Sequence, residues 1–186
     1  MKRWDAIELL APAKGDGVSV ATMRAIPDWY RAAAGPERHL DNIGCMGGAA
    51  PLALGIALAQ PDRRVMVVDG DGSLLMQLGV LASVAGAAPA NFYHFVLVNR
   101  IYETSGHQAI PAADKVDFAA LALGAGYAAA FNFDDPAVLR ERLPGILDRP
   151  GPVLIALEVD PEDERLATPA ARPRDPAGYL RAQLVG

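Results

Sequence analysis

The sequence predicts an α/β fold, a doubly wound, mostly parallel sheet with helices on both faces. Short β-branched segments alternate with longer Ala- and Leu-rich segments along the 186 residues, as in a chain of βαβ units. The two best strand candidates, 65–68 and 95–98, are apolar at every position, which is typical of parallel strands that are buried on both faces. Because open α/β sheets bind ligands at the carboxyl ends of their strands, functional residues are expected at that edge.

Six strands and six helices are predicted within residues 1–160, which are expected to form one domain. The predicted strands span 17–21, 39–42, 64–69, 93–98, 126–130 and 153–159. The predicted helices span 3–11, 23–34, 47–60, 74–86, 116–123 and 136–143. Asp134 or Asp135 is expected to cap the last helix ahead of Pro136, and Pro144 to end or kink it.

The tail, residues 161–186, is charged and Pro-rich. It is expected to end in a short amphipathic helix, 175–184, packed on the surface or on a neighbouring chain. The net charge of −5 argues against nucleic-acid or anionic membrane partners. A single cysteine allows no internal disulfide and no zinc cluster. The N-terminus lacks the apolar core of a signal peptide, and no apolar segment is long enough to span a bilayer. A cytoplasmic location is therefore expected.

The segment Gly70-Asp71-Gly72 joins a predicted buried strand to a predicted helix. The flanking glycines allow a large anion to approach the backbone, and the helix offers free N–H groups. A lone carboxylate would repel a diphosphate unless a divalent cation lay between them, and Mg²⁺ prefers oxygen ligands of this kind. Asn99, at the end of the next strong strand, is expected to supply a second, neutral ligand. The alternative to a binding site is that Gly70-Asp71-Gly72 forms an ordinary strand-to-helix turn.

The same tripeptide occurs at 15–17, with Asn42 at a comparable distance downstream. Spacing alone would accept both copies. The first copy is rejected because no apolar strand precedes it and no helix-like segment follows it.

A third motif precedes this region: a glycine-dense turn, 41–48, leads into a small-residue helix. In this order, the three motifs resemble the pyrophosphate-binding domain of thiamine-diphosphate enzymes. The resemblance is strongest over 41–111, which includes the stretch Tyr-Glu-Thr-Ser-Gly-His-Gln at 102–108, and it extends more loosely across the whole chain. Within the family the chain is most similar to the small (beta) subunit of sulfopyruvate decarboxylase and to the C-terminal domain of phosphonopyruvate decarboxylase.

The resemblance implies the cofactors thiamine diphosphate and Mg²⁺. It implies that the metal would be held by the side chains of Asp71 and Asn99 and by the backbone carbonyl of Ile101. Further groups would bind the diphosphate, and the resemblance assigns them to Gly70, Gly72, Ser73, Thr104 and Ser105. Chemistry at the cofactor would then release CO₂ from a small 2-oxo acid.

The resemblance also implies that Gly44 would accept a hydrogen bond from the aminopyrimidine, and that Met46 would support the bent form of the cofactor. Two positions depart from the family pattern. Val98 stands where the family commonly has Asn or Asp, and His107 where it often has Gly. His107 is a candidate catalytic residue that could contact the substrate acid, although a solvated loop histidine is the simpler reading. The roles of Arg100 and Cys45 stay open.

The glutamate that activates the cofactor in this family belongs to a separate pyrimidine-binding domain, for which these residues have no room. Glu8 and Glu37 are expected to be solvated. The resemblance therefore implies a pyrimidine-binding (alpha-type) partner subunit, and hence a hetero-oligomer with its active site between subunits. Two alternatives are an acetolactate-synthase-like carboligase subunit and a non-catalytic cofactor-binding subunit. A nucleotide-binding Rossmann domain is disfavoured because no Gly-x-Gly-x-x-Gly follows a strand.

Overall fold

The computed structural model describes residues 1–33, 37–162 and 173–185 of the chain. Its strands are β1 Val18–Thr22, β2 His39–Asn42, β3 Val65–Gly70, β4 Phe92–Val98, β5 Ile101–Tyr102, β6 Gln108–Ala109, β7 Ala129–Phe133 and β8 Val153–Glu158. Its helices are α1 Arg3–Ala13, α2 Ala25–Ala33, α3 Ala49–Ala59, α4 Asp71–Met76, α5 Val80–Ala87, α6 Phe118–Ala125, α7 Pro136–Leu147 and α8 Pro176–Val185.

Six strands form one sheet in the order β2-β1-β3-β4-β8-β7, and every neighbouring pair is parallel. The predicted fold class is therefore confirmed. The chain moves outward from β1 to β2 and then returns past β1 to β3, so the direction of winding reverses between β1 and β3. In doubly wound sheets this reversal opens a crevice at the carboxyl ends of the two strands.

Two apolar cores lie on opposite faces of the sheet. The first packs α1, α2 and α7 against one face and includes Ile7, Trp29 and Leu139. The second packs α3, α5, α6 and α8 against the other face. All four buried side chains of α3 are alanines, which lets this helix lie close to the sheet. β3 and β4 are buried almost throughout because both faces of the sheet are covered, as their apolar sequences predict.

Local signals account for several element ends. The Asp135 carboxylate accepts a hydrogen bond from the Ala137 N–H at 2.7 Å and caps α7, whose first residue is Pro136. This confirms the predicted cap. α7 nevertheless continues past Pro144 to Leu147. The prediction that the helix would end at Pro144 is therefore wrong, and the kink predicted as the alternative stays a prediction. β7 begins at Ala129, three residues later than predicted. The reason is that Gly126 adopts a left-handed conformation (φ +107°) and ends α6.

Two features differ from the sequence prediction near the site. The single helix predicted for 74–86 is two helices, α4 and α5, and α4 already begins at Asp71. A small antiparallel hairpin, β5–β6, follows β4 and was not predicted.

The predicted tail helix is observed as α8, whose Leu180 is buried, whereas residues 163–172 lie outside the described residues. No helix of the described residues is long and apolar enough to cross a membrane.

Candidate functional site

A cleft opens at the carboxyl edge of the sheet. The ends of three adjacent strands reach it: the loop after β1, the junction of β3 with α4, and the segment after β4. It therefore lies at the point where the winding direction reverses, the usual position for a ligand in a doubly wound sheet.

Asp71 is the acidic residue at the junction of β3 and α4, and it is only 2% exposed. The backbone around it is tightly enclosed. A Cβ added to Gly72 would lie 2.5 Å from Cε1 of Tyr102 and 3.2 Å from Cγ2 of Ile110. Glycine is required here because the Tyr102 ring, in the first strand of the hairpin β5–β6, packs directly on the backbone of residue 72. The hairpin thus holds the Asp71 loop against the end of β4.

The Asp71 carboxylate accepts two backbone hydrogen bonds, one at each oxygen. Oδ1 accepts from the Gly72 N–H and Oδ2 from the Arg100 N–H, both at 2.6 Å. Burial raises the pKa of Asp71 to about 6, and the N–H groups counteract this only in part. Each oxygen keeps a further lone pair, so this carboxylate can accept a cation, which would favour its charged form.

Asn99, Arg100 and Ile101 follow β4 beside Asp71. The Asn99 side-chain oxygen accepts a hydrogen bond from the Ile101 N–H at 3.1 Å, which fixes the amide in a tight turn. Asn99 and Ile101 both line the cleft together with Asp71. The three residues assigned to the metal from sequence therefore line one cleft.

The glycine-dense turn after β2 reaches the same cleft from the other side. The Asn42 side-chain amide donates to the Cys45 carbonyl at 2.7 Å and closes the turn. The Gly47 N–H donates to the Ser73 hydroxyl oxygen at 2.9 Å, which ties the turn to α4. The Ser73 hydroxyl keeps its own proton for another acceptor. Met46 lies within this turn and lines the cleft.

Most of the residues singled out from sequence line this cleft. The lining members are Met46, Gly70, Asp71, Gly72, Ser73, Asn99, Ile101 and Thr104. Gly44, Ser105 and His107 are exposed and are not among the residues that line it. Gly44 has a φ of +75° and His107 a φ of +61°, so both lie at sharp turns of the backbone.

One wall of the cleft was missed by the sequence analysis. It is formed by the loop after β1 and by a buried ion network centred on Arg3. The Arg3 guanidinium contacts the carboxylates of Asp28 at 2.7 Å, Glu103 at 2.9 Å and Glu162 at 2.7 Å. Arg24 contacts Glu103 at 3.3 Å. These residues are far apart in sequence, and no local motif marks their association.

Glu103 is the one glutamate that lines the cleft in the part of the chain that the structure describes. Its carboxylate is held on both sides: Oε2 contacts Arg3 and Arg24, and Oε1 accepts the Glu162 N–H at 2.7 Å. Glu8 and Glu37 are exposed, as predicted from sequence.

The site is not a cluster of acids. Within the described ranges, no three His, Cys, Asp or Glu side chains are grouped so as to hold a metal. The donors at Asp71 are instead one carboxylate, one amide oxygen and backbone carbonyls. Mg²⁺ is commonly bound by one or two protein carboxylates together with phosphate oxygens and water. The donor set therefore fits a hard cation that shares a phosphate ligand.

Comparison with known proteins gives a consistent result. Residues 23–157 match the family model described as "Thiamine pyrophosphate enzyme, C-terminal TPP binding domain". The chain is 40% identical over 146 residues to phosphonopyruvate decarboxylase of Streptomyces hygroscopicus, covering 78% of this chain and 36% of that protein. It is 36% identical over 127 residues to sulfopyruvate decarboxylase subunit beta of Methanothermobacter thermautotrophicus, covering 68% of each.

Solved structures agree on the fold. Benzoylformate decarboxylase from Polynucleobacter necessarius superposes with a TM-score of 0.74 at 16% identity, covering 89% of this chain and 34% of that one. The chain spans about a third of the length of the phosphonopyruvate decarboxylases that it matches.

Proposed function

The chain belongs to the thiamine pyrophosphate enzymes, in which it corresponds to the C-terminal TPP-binding domain, and from this premise we propose its function. It is the cofactor-binding subunit of a thiamine-diphosphate- and Mg²⁺-dependent 2-oxo acid decarboxylase of the sulfopyruvate or phosphonopyruvate type. A separate pyrimidine-binding subunit completes the enzyme. The observation that supports this most directly is that Asp71 and Asn99, from two neighbouring strands, line one cleft at the winding reversal.

In this proposal, the Asp71 carboxylate, the Asn99 amide oxygen and the Ile101 carbonyl hold Mg²⁺. The raised pKa of Asp71, about 6, supports it because burial disfavours the charged carboxylate, and a bound metal ion would favour it. Asn99 adds a ligand without adding negative charge. The two backbone N–H donors orient the Asp71 carboxylate before any metal arrives, as supporting groups around metal ligands generally do.

The diphosphate is proposed to lie against Gly70, Gly72 and Ser73. Gly72 brings its backbone close because the Tyr102 ring leaves no space for a side chain. The Ser73 hydroxyl accepts from the Gly47 N–H, which directs its remaining proton away from the glycine turn. Thr104, in the turn of the hairpin, lines the same cleft. Ser105, at the exposed surface beside it, is proposed as a further donor.

Thiamine diphosphate, when bound, supplies the nucleophilic carbon that attacks a 2-oxo acid and takes up the electron pair released with CO₂. In our proposal, the residues of this chain bind and orient that group. Met46, in the cleft wall, supports its bent form, and the exposed Gly44 carbonyl receives the aminopyrimidine. His107 is the proposed contact to the substrate acid. Its exposed turn would face that acid once a second subunit encloses the site.

The proposed partner supplies the activating glutamate. Glu103, the glutamate in the cleft of the described chain, is bound on both oxygens by the ion network and the Glu162 N–H. The relative in Methanothermobacter thermautotrophicus is named a beta subunit, which supports assembly from separate chains. The identity of the partner and the state of the assembly are part of the proposal.

Calorimetric titration of the purified chain with thiamine diphosphate and Mg²⁺ tests the binding site. We expect Asp71→Ala to abolish Mg²⁺-dependent binding, whereas Asp62→Ala, an exposed acid outside the cleft, leaves it unchanged. Equal binding by the wild-type chain and Asp71→Ala would refute the metal assignment.

A separate assay tests the subunit arrangement. We expect no decarboxylation by the chain alone, and release of CO₂ from sulfopyruvate or phosphonopyruvate after addition of the pyrimidine-binding subunit. Full turnover by the isolated chain would contradict the heteromer. Formation of a coupled hydroxy-ketone in place of an aldehyde would favour the carboligase. A complex that retains cofactor but converts no substrate would favour a non-catalytic subunit.

A further inference from the structure

Arg100 lies between the two proposed metal ligands that follow β4, and its backbone has a left-handed conformation with φ of +66°. That region is unfavourable for any residue with a Cβ. The conformation has one direct consequence at the site: the Arg100 N–H points at Asp71 and donates to Oδ2 at 2.6 Å.

The Arg100 side chain is fixed at its far end. Its Nη2 contacts both oxygens of Glu158, the last residue of β8, at 3.0 and 2.8 Å. Its Nη1 donates to the Ala113 carbonyl, and its own carbonyl accepts the Ile110 N–H at 3.0 Å. One residue therefore connects the end of β4 to the end of β8 and to the segment that follows the hairpin.

We propose that Arg100 is a positioning residue, whose ion pair with Glu158 holds the left-handed backbone that aims its N–H at the Asp71 carboxylate. The Asn99 amide and the Ile101 carbonyl are set by the same turn. This inference rests on the proposed function, because the benefit of a fixed turn is a preformed metal site.

The geometry gives the ion pair a role that is separate from stability. Both side chains are more than a third exposed, at 39% and 38%, and an ion pair at that exposure contributes little to the free energy of folding. It can still hold a short turn, because it fixes the far end of the Arg100 side chain. A glycine at position 100 would adopt the same φ without strain but would lack the anchor.

Hydrogen exchange in the apo chain tests the anchor without any cofactor. We expect Glu158→Ala to speed exchange of the Arg100 amide by about 2- to 5-fold, the range that an exposed ion pair supports, because the turn opens more often. The Val96 amide, in the centre of β4, keeps its rate. Asp16→Ala breaks another ion pair, between Asp16 before β1 and Arg38 before β2, at 2.9 Å. This variant should leave the exchange rate of the Arg100 amide unchanged. An Arg100 amide that exchanges equally in Glu158→Ala and the wild-type chain would overturn the proposal.

Mg²⁺ titration in the presence of thiamine diphosphate then tests the consequence. We expect Glu158→Ala to weaken Mg²⁺ binding by about 2- to 5-fold, the range that an exposed ion pair supports. Arg100→Gly, which also removes the contact with the Ala113 carbonyl, should weaken it by at least as much. The double variant should bind no more weakly than Arg100→Gly, because that change alone already removes the ion pair. Arg100→Gly should keep the wild-type thermal midpoint, which separates positioning from stability. Unchanged Mg²⁺ affinity or fully additive losses would each overturn the proposal.

The two experiments distinguish this inference from the proposed function. If the wild-type chain binds no Mg²⁺ and cofactor, the proposed function fails, and the exchange rates still report whether Glu158 holds the turn. If the wild-type chain binds both and Glu158→Ala behaves like it, the function stands and the role of Arg100 falls.

Discussion

The pH dependence of stability should reveal the buried carboxylate at the end of β3. The pKa of Asp71 is raised from 3.8 to about 6 by burial, so the folded chain binds this proton more tightly than the unfolded chain. Between these two values the folded chain keeps the proton while the unfolded chain loses it. The free energy of unfolding therefore falls as the pH rises through this interval.

The size of the effect follows from the same values. A pKa raised from 3.8 to about 6 corresponds to about 3 kcal/mol of stability that is present in acid and lost above about pH 6. Asp71→Asn removes the titration. Any constant cost of the amide, such as a poorly paired Arg100 N–H, does not vary with pH and cancels in the comparison.

Urea unfolding of the wild-type chain and of Asp71→Asn, at several pH values from about 4 to about 7, measures the difference. We expect the stability of the wild-type chain relative to the variant to fall by about 2 to 3 kcal/mol over this range. Mg²⁺ with thiamine diphosphate should restore the loss in the wild-type chain only, since a bound cation favours the charged carboxylate. A difference that stays constant with pH would refute the electrostatic reasoning.

Three further predictions concern two residues that line the cleft and the exposed His107. Gly72→Ala should weaken cofactor binding by calorimetry and lower the thermal midpoint, because its methyl would overlap Tyr102, whereas Gly55→Ala, in open space within α3, should raise stability by about 0.5 to 1 kcal/mol. Arg3→Ala should lower the free energy of unfolding by about 3 to 5 kcal/mol in chemical denaturation, since it leaves buried carboxylates unpaired. His107→Asn, which tolerates the left-handed backbone, should leave cofactor affinity intact and lower kcat in the assembled enzyme; an unchanged kcat would leave His107 a solvated residue.

Local sequence patterns predict much of this fold because the signals and the structure act over the same short range. The apolar runs 65–68 and 95–98 lie in β3 and β4 at the centre of the sheet. Asp135 caps α7 through an N–H two residues away. The Gly-Asp-Gly motif marks the end of a central strand, and parallel packing brings it beside Asn99.

The features that sequence did not predict depend on contacts between distant segments. The break between α4 and α5 follows no proline. It falls at Gln77, whose Cβ would lie 2.6 Å from a Cβ added to Gly47, in the turn after β2. Each strand of the hairpin after β4 is two residues long, which is too short to show a periodic hydrophobic pattern. The ion network joins Arg3 to Glu162 across most of the chain, and no local spacing could indicate it.

The two acidic walls of the cleft differ in a way that decides where a cation would bind. Asp28, Glu103 and Glu162 already contact the guanidinium of Arg3, so a metal at that wall would have to displace a paired charge. Asp71 forms no ion pair within 4 Å in the described part of the chain, and only backbone N–H groups contact its oxygens. Burial raises its pKa, and the N–H groups and the charge of Arg100 counteract this only in part, so a divalent cation gains more there. The Asp71 carboxylate therefore competes better for Mg²⁺ than Glu103, the one carboxylate of the Arg3 network that lines the cleft.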